Sequence, residues 1–282
     1  MPTETLEAPP RAVVGGASSL DHLSWSSLKT YATCPKKFEF KYIDRVPEEF
    51  KASSLVFGGA FHKAVESICE ARLRGDPVPE IDAILTAFDD AWAQEIAFGP
   101  EMTFCKDEDA ASLRELARRM LAVFREYAVN EATLPEPTVV IGIEESRRFR
   151  VVAEVPLPIE SRIDLVELRG TDLIVTDLKT SRSRWNETKV REAIPQLILY
   201  SSSLVPMMKE LGATRVVPRF VVVSKAKTPV VQVLEPKATQ EDVVRLKETI
   251  RDTWTAIQAG IFVKRESWAC GQCPFKGRCL GR

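Results

Sequence analysis

The stretch SRIDLVELRGTDLIVTDLKTSR, residues 161–182, decides the fold of this chain. Two runs rich in β-branched residues flank Arg169-Gly170-Thr171-Asp172, the pattern of an antiparallel hairpin. With Gly170-Thr171 as a two-residue loop, glycine holds the first central position, as a type II′ turn prefers. That register sets Asp164 opposite Asp177, and a four-residue loop over 169–172 leaves it unchanged. Period-two alternation then places Lys179 on the face of Asp177. Opposed residues bring their Cβ atoms to about 4.5–5.5 Å, and like charges so placed are destabilising. A divalent cation would supply the missing counter-charge, and hard Mg²⁺ or Mn²⁺ suits carboxylate, carbonyl and water ligands. Such an ion lowers the pKa of bound water and polarises a phosphoryl oxygen, while a nearby ammonium stabilises developing charge. A lone D-x-K reads far more often as a solvated hairpin; the opposed Asp164 brings a site level with that reading, and the rest of the chain moves it further.

Outward from the hairpin, 282 residues with 45% hydrophobic content allow one large core or two modest ones. The net charge of −1 gives no hint of a polyanionic partner, but its distribution does. Residues 76–115 carry eleven Asp or Glu against Lys106 and Arg114, so the remainder is basic. Basic residues concentrate at 179–191 and 264–282, compatible with an anionic ligand on one side and a solvated acidic face on the other. No stretch has the length and apolarity of a signal peptide or a membrane span, so a cytoplasmic protein is expected, with its six cysteines reduced. Three of them, Cys270, Cys273 and Cys279, form a C-x2-C-x5-C run that points to metal; with a fourth thiolate either an iron–sulfur cluster or tetrahedral zinc fits.

Residues 1–20, rich in Pro, Gly, Ala and Ser, are expected to be disordered. Helices are expected from about residue 24, with Ser24 or Ser26 as N-cap. A Gly58-Gly59 turn should precede a helix that closes at Gly75, and further helices are expected at about 80–97 and 108–130. Consecutive antiparallel strands should fill 136–180. A helix around Gln196–Leu211 follows, with Pro195 in its first turn or at a kink, then two strands and a helix over 238–259. The order implies an α+β (α/β) fold.

In sequence, SRIDLVEL and LIVTDLKT resemble the core of the PD-(D/E)XK nuclease superfamily, specifically its RecB-like branch. GGAFHKAVE (58–66) and QLILY (196–200) resemble two further motifs of that branch, in the same order. The resemblance covers residues 24–282 and implies a restriction-endonuclease-like mixed sheet flanked by helices. It implies one domain over 21–282, with a helical insertion at about 63–135, a core at 136–235 and a C-terminal helix and cysteine segment at 238–282. Asp164, Asp177, His62 and the Leu178 carbonyl would then hold Mg²⁺ or Mn²⁺, with Lys179 catalytic and Glu66 orienting the imidazole. Gln196 and Tyr200 would contact DNA or order the site. Members such as AddB and the CRISPR adaptation exonuclease hold a 4Fe-4S cluster on one early cysteine and a late C-x2-C-x5-C, which here implies Cys34 with Cys270, Cys273 and Cys279, zinc being the alternative. Cys69 and Cys105 are read as packing residues. Ser161 departs from the glycine that many relatives carry before Arg-Ile-Asp. The implied activity is an exonuclease on single-stranded DNA, in repair, recombination, phage replication or CRISPR adaptation. Arg182, Arg184, Lys189, Arg191, Lys36 and Lys37 would guide the strand. No G-x-x-x-x-G-K-[ST] run occurs, so the chain is expected to act alone or alongside a separate helicase or integrase. A catalytically silent DNA-binding module and a zinc-stapled interaction protein are the competing readings.

Overall fold

The computed structural model describes residues 20–105, 107–136 and 138–281, so the disordered lead expected over 1–20 falls almost wholly outside the described residues. Chain entry is set by Ser24, whose side chain caps α1 (Trp25–Thr33) in a reciprocal capping box with Ser27. Leu23 is held by backbone bonds to Pro158 and Glu160, which anchors this end beside the central sheet. The short α2 (Pro35–Phe38) and a π-helical turn over Glu39–Ile43 follow. Next come the two-residue β1 (Lys51–Ala52) and the long α3 (Ser53–Arg74).

The Gly58-Gly59 turn expected from sequence is absent; α3 runs straight through both glycines. Val56, Phe57, Ala60, Phe61, Ala64, Val65 and Ile68 form one unbroken buried stripe, and that burial outweighs the roughly 1 kcal/mol per glycine that a helix interior costs. Gly75 ends the helix in the left-handed region, φ 74°. Then come α4 (Ile81–Phe98), β2 (Met102–Thr103, paired with β1) and α5 (Ala110–Ala132), capped by Asp109.

The main sheet contains β3 (Val139–Phe149), β4 (Ile159–Arg169), β5 (Asp172–Ser181), β6 (Arg215–Ser224) and β7 (Val231–Leu234), in that spatial order. Neighbours are antiparallel except β5 and β6, which run parallel, so the sheet is mixed. The β5–β6 crossover carries α6 (Glu187–Ser203) and α7 (Val205–Glu210). The single helix expected around 196–211 is thus two, the second beginning at Val205-Pro206. Pro195 lies in the interior of α6, not in its first turn.

Phe57, Phe61, Phe88, Met120 and Leu121 from α3, α4 and α5 bury one sheet face against Leu165, Leu178 and Val221. Leu197 and Tyr200 of α6 cover the other face at Val175, Phe220 and Val222. Outside α6, α1 packs with α8 (Gln240–Gln258) through Leu28, Ile198, Ile250 and Trp254. A mixed sheet flanked by helices on both faces is the restriction-endonuclease-like α/β architecture expected from sequence. The chain ends in a 3₁₀ turn over Trp268–Gln272 and α9 (Lys276–Leu280). Among the described residues no helix is long and apolar enough to cross a membrane.

The hairpin adopts the register read from sequence, from Arg169↔Asp172 to Leu165↔Thr176. Gly170 has φ 56° and Thr171 stays at negative φ, the sign pattern of a type II′ turn. Pairing then stops. Beyond Leu165 and Thr176, β4 continues along β3 while β5 continues along β6, so the sheet splits where Asp164 and Asp177 face each other.

Candidate functional site

At the split, the Asp164 side chain takes over from the missing ladder: its Oδ2 accepts from the Leu178 backbone N–H at 2.6 Å. Asp177 is fully buried. Its Oδ1 accepts from Lys179 Nζ at 2.9 Å, while Oδ2 lies 2.7 Å from the same ammonium yet has no hydrogen bond of its own. Behind this pair, Gln196 Nε2 donates to the Tyr200 hydroxyl at 2.7 Å, and that hydroxyl is turned towards Asp177. The i, i+4 spacing on α6 thus orders the carboxylate from beneath. His62, projecting from α3, places Nδ1 3.9 Å from Asp164 Oδ1.

One neighbour escaped the sequence reading. Glu144 joins His62 and Asp164 in a group whose ligand atoms lie within 4.8 Å of one another. The β3–β4 register shifts by one between Val140 and Gly142, and the pairs Ile143↔Leu165 and Glu145↔Ile163 then bracket Glu144 against Asp164. Without that bulge, Glu144 would sit one residue out of line and on the wrong face. Gly142 was the available signal, since glycine inside a strand pattern marks a bulge, but it does not tell which way the register moves. Glu144 has a left-handed backbone, φ 52°, a conformation costing a non-glycine residue of order 1–3 kcal/mol and concentrated at functional sites. It also pairs with Arg162.

His62, Glu144, Asp164, Lys179, Gln196 and Tyr200 line an open cleft of about 700 Å³, floored by Gly58 and Gly59 and bordered by the α1 N-terminus, while Asp177 is buried beneath it. Burial, then the charge of Asp177, pushes the Asp164 carboxyl up to about 8. Burial likewise raises Asp177, against the pull of Lys179 and Tyr200. Burial alone would lower the Lys179 ammonium, but the two carboxylates reverse this and raise it. Burial, and next the Lys179 charge, drives His62 down to about 4, which keeps its imidazole neutral and able to act as a ligand. A neutral imidazole beside the crowded carboxylates of Glu144 and Asp164 fits a hard divalent cation; Asp177, also expected as a ligand, is held by Lys179 and lies outside that group.

The pH dependence follows from the raised carboxyl. Between the unfolded value near 4 and about 8, the metal-free fold holds a proton on Asp164 that the unfolded chain releases, so the Asp164 contribution to stability is greatest below that window and declines through it, while the lowered His62 opposes it up to its unfolded value near 6.5. A cation must displace this proton, so metal affinity should climb as pH rises. The expected result is a Mn²⁺-induced rise in Tm that is small near pH 5 and large near pH 8; a pH-independent rise would contradict it.

Other expected residues sit elsewhere. Glu66 pairs with Lys63 at 2.5 Å and not with His62. Arg182, Arg184, Lys189 and Arg191 are exposed and do not line the cleft. Lys36 pairs with Glu39, and Lys37 lines a small pocket at the opposite end of α1. The cleft's own cations are Lys63, Arg162 and Lys179.

That small pocket gathers Cys34, Cys270, Cys273 and Cys279. Burial raises the Cys279 thiol, and the other three thiols add to the effect. Among the described residues, no three of these sulfurs lie within 4.8 Å of one another. The termini are also joined by protein contacts: Tyr31 OH donates to the Ile261 carbonyl at 2.6 Å, and Glu49 accepts from the backbone N–H groups of Gly277 and Arg278. Cys69 is a packing residue of α3, its thiol pushed up to about 12 by burial. Cys105 is only half-buried and accepts from Gln272 Nε2 at 3.5 Å.

Comparison with known proteins bears on the same residues. Residues 22–280 match the family model of the PD-(D/E)XK nuclease superfamily. None of the curated proteins matches the chain. Among solved structures, a Eubacterium rectale protein with a provisional exonuclease assignment aligns over 95% of this chain and 93% of its own, with a TM-score of 0.57 and 12% identity, a likeness of fold. SSO0001 aligns over 90% of this chain and 95% of its own at 15% identity, but its TM-score of 0.33 carries no argument.

Proposed function

The chain belongs to the PD-(D/E)XK nuclease superfamily, and we propose that it is a Mg²⁺- or Mn²⁺-dependent deoxyribonuclease acting as an exonuclease on single-stranded DNA. The observation that carries this reading is the split between β4 and β5, where Asp164 and Asp177 confront each other with Lys179 beside them and His62 above. His62, Glu144 and Asp164, whose ligand atoms already lie together, would hold the cation, with Asp177 and the Leu178 carbonyl completing the set. A bound cation supplies an acidified water and a polarised phosphoryl oxygen. Lys179 keeps its proton under the two carboxylates and offers a fixed positive charge where a phosphodiester gathers negative charge. Gln196 and Tyr200 hold Asp177 in place, a positioning role. Exposed Arg182 and Arg184 guide incoming strand by phosphate contacts. With no P-loop motif in the sequence, the chain acts alone on strands that are already single or alongside a separate helicase or integrase.

The deciding experiment offers single- and double-stranded oligonucleotides, blocked at either end, with each metal in turn. Metal-dependent release of mononucleotides from single strands with one free end supports the reading; inert DNA under every condition defeats it.

The second part of the proposal is a 4Fe-4S cluster on Cys34, Cys270, Cys273 and Cys279, with Lys36 and Lys37 close by. Four thiolates about a tetrahedral zinc, with bonds of about 2.3 Å, would crowd to about 3.8 Å. Thiols gathered in one pocket but set wider suit the larger cluster. Anaerobically purified protein is expected to be brown and to contain iron and acid-labile sulfide in equal amounts, both lost in Cys34→Ser. A colourless protein with one zinc per chain would reverse the assignment.

A further inference from the structure

The cleft does not end at the carboxylates. It shares Gly59, Lys63 and Glu95 with a second cavity of about 320 Å³ that extends along α4 to Phe98, so the two form one continuous groove. Phe98 is the last residue of α4, and its ring is 90% exposed. A single exposed apolar side chain is ordinary; one placed at the end of a groove that opens from the catalytic cleft is different. Its position is also fixed by the chain. At Gly99 an added Cβ would stand 2.6 Å from the Glu95 carbonyl oxygen, so glycine permits the close turn that ends the helix there. Where the groove crosses α3 its floor is bare backbone, with nothing within 4 Å of the position a Gly58 Cβ would take.

We propose that this groove is the track for a single-stranded polynucleotide on one side of the scissile phosphate, with the Phe98 ring as its base-stacking platform. The charges favour a base over a phosphate as what is gripped here. Lys51 pairs with Glu95, and Lys63 with Glu66 at 2.5 Å, which leaves the segment with no surplus positive charge. Base–aromatic stacking is indifferent to sequence, because every base has a π-face, and the backbone's charge would be met in the adjoining cleft by Lys63, Arg162 and Lys179. A paired duplex hides those faces, so the platform selects unpaired strand. A protein partner fits less well: Phe98 stands in this cavity among Lys51, Lys63, Gln94 and Glu95, not in the contiguous apolar core of an interface.

This inference rests on the nuclease reading, and the test separates the two. Fluorescein-labelled oligothymidylates of about four and about twelve nucleotides, the span of one single-strand site, are titrated by anisotropy in EDTA. The wild type is expected to bind the longer strand more tightly. Phe98→Ala should weaken the longer strand about tenfold and leave the shorter one unchanged, with the same dependence on salt because no phosphate contact is lost. Phe98→Trp should bind at least as well as the wild type. Phe98→Ala binding the longer strand like the wild type, or weakening both strands equally, overturns the track. Length-dependent binding that Phe98→Ala abolishes, in a protein that never cuts the strand with Mn²⁺, would instead overturn the nuclease reading and leave the track standing.

Discussion

Asp164→Asn is expected to cut hydrolysis by about 10³-fold and, without metal, to make the protein more stable at pH 8 than the wild type. The two effects have one cause. Burial and the facing Asp177 push the Asp164 carboxyl up to about 8, so the empty site is stable only while that carboxyl keeps its proton. As pH rises from about 4 towards 8, the unfolded chain gives up the Asp164 proton that the fold retains, and the stability this carboxyl contributes to the wild type, but not to the variant, falls. Asparagine is neutral throughout, and its side-chain oxygen can still accept from the Leu178 N–H. The variant should therefore match the wild type in Tm near pH 4 and exceed it near pH 8, in EDTA. It should also lose most of the Mn²⁺-induced rise in Tm. Lys179→Met is the contrasting case: it removes the ammonium that compensates Asp177 and should lower both activity and Tm. If Asp164→Asn behaved like Lys179→Met in EDTA, Asp164 would be a structural residue, and the split sheet would not be a metal site.

The hairpin was legible because its information is local. Gly170 fixes the turn and the turn fixes the register, so Asp164 could be set against Asp177 from spacing alone. Lys179 follows from the same period of two along the strand; Gln196 and Tyr200 are marked by the family resemblance, and their i, i+4 spacing is only consistent with it. Glu144 was not legible, because its alignment depends on a bulge between Val140 and Gly142 whose direction is set by pairing with β4. Gly58 and Gly59 misled for the opposite reason. Their local preference for a turn is real, but the stripe from Val56 to Ile68 has no other way to reach Phe88 and Leu121. The exposed basic residues after β5 carry charge that sequence can count, but which of them reach the cleft depends on how the loop leaves the sheet. The shared-groove position of Phe98 depends on two helices meeting at Gly59 and Glu95, a contact without any sequence signature.

Glu167→Ala is expected to destabilise the protein by about 3–5 kcal/mol, the range for stripping one partner from a buried ion pair. At about 2–4 °C per kcal/mol for a chain of this size, Tm should fall by roughly 10 °C. Glu167 stands on β4, three residues past Asp164, and is 1% exposed. It joins the Arg219 guanidinium directly, lies in an ion pair 2.9 Å from Arg72 Nη2, and accepts from the Thr138 hydroxyl at 3.0 Å. Arg219 Nε in turn donates to the Thr176 hydroxyl at 2.9 Å, immediately before Asp177. The network thus ties β4, β5 and β6 together at the base of the split, where their backbones still pair. Removing the carboxylate leaves two guanidinium groups under the sheet with only hydroxyls and the more distant Glu131 to compensate them. Since the loss is that of an uncompensated charge, Glu167→Ala and Arg219→Ala should not add: the double variant is expected to be clearly more stable than the sum of the two single losses implies. Thermal melts of the four proteins in the cycle measure this. Additive losses would mean that Glu167 and Arg219 are stabilised independently, and that what holds the two strands together below the opening is apolar packing alone.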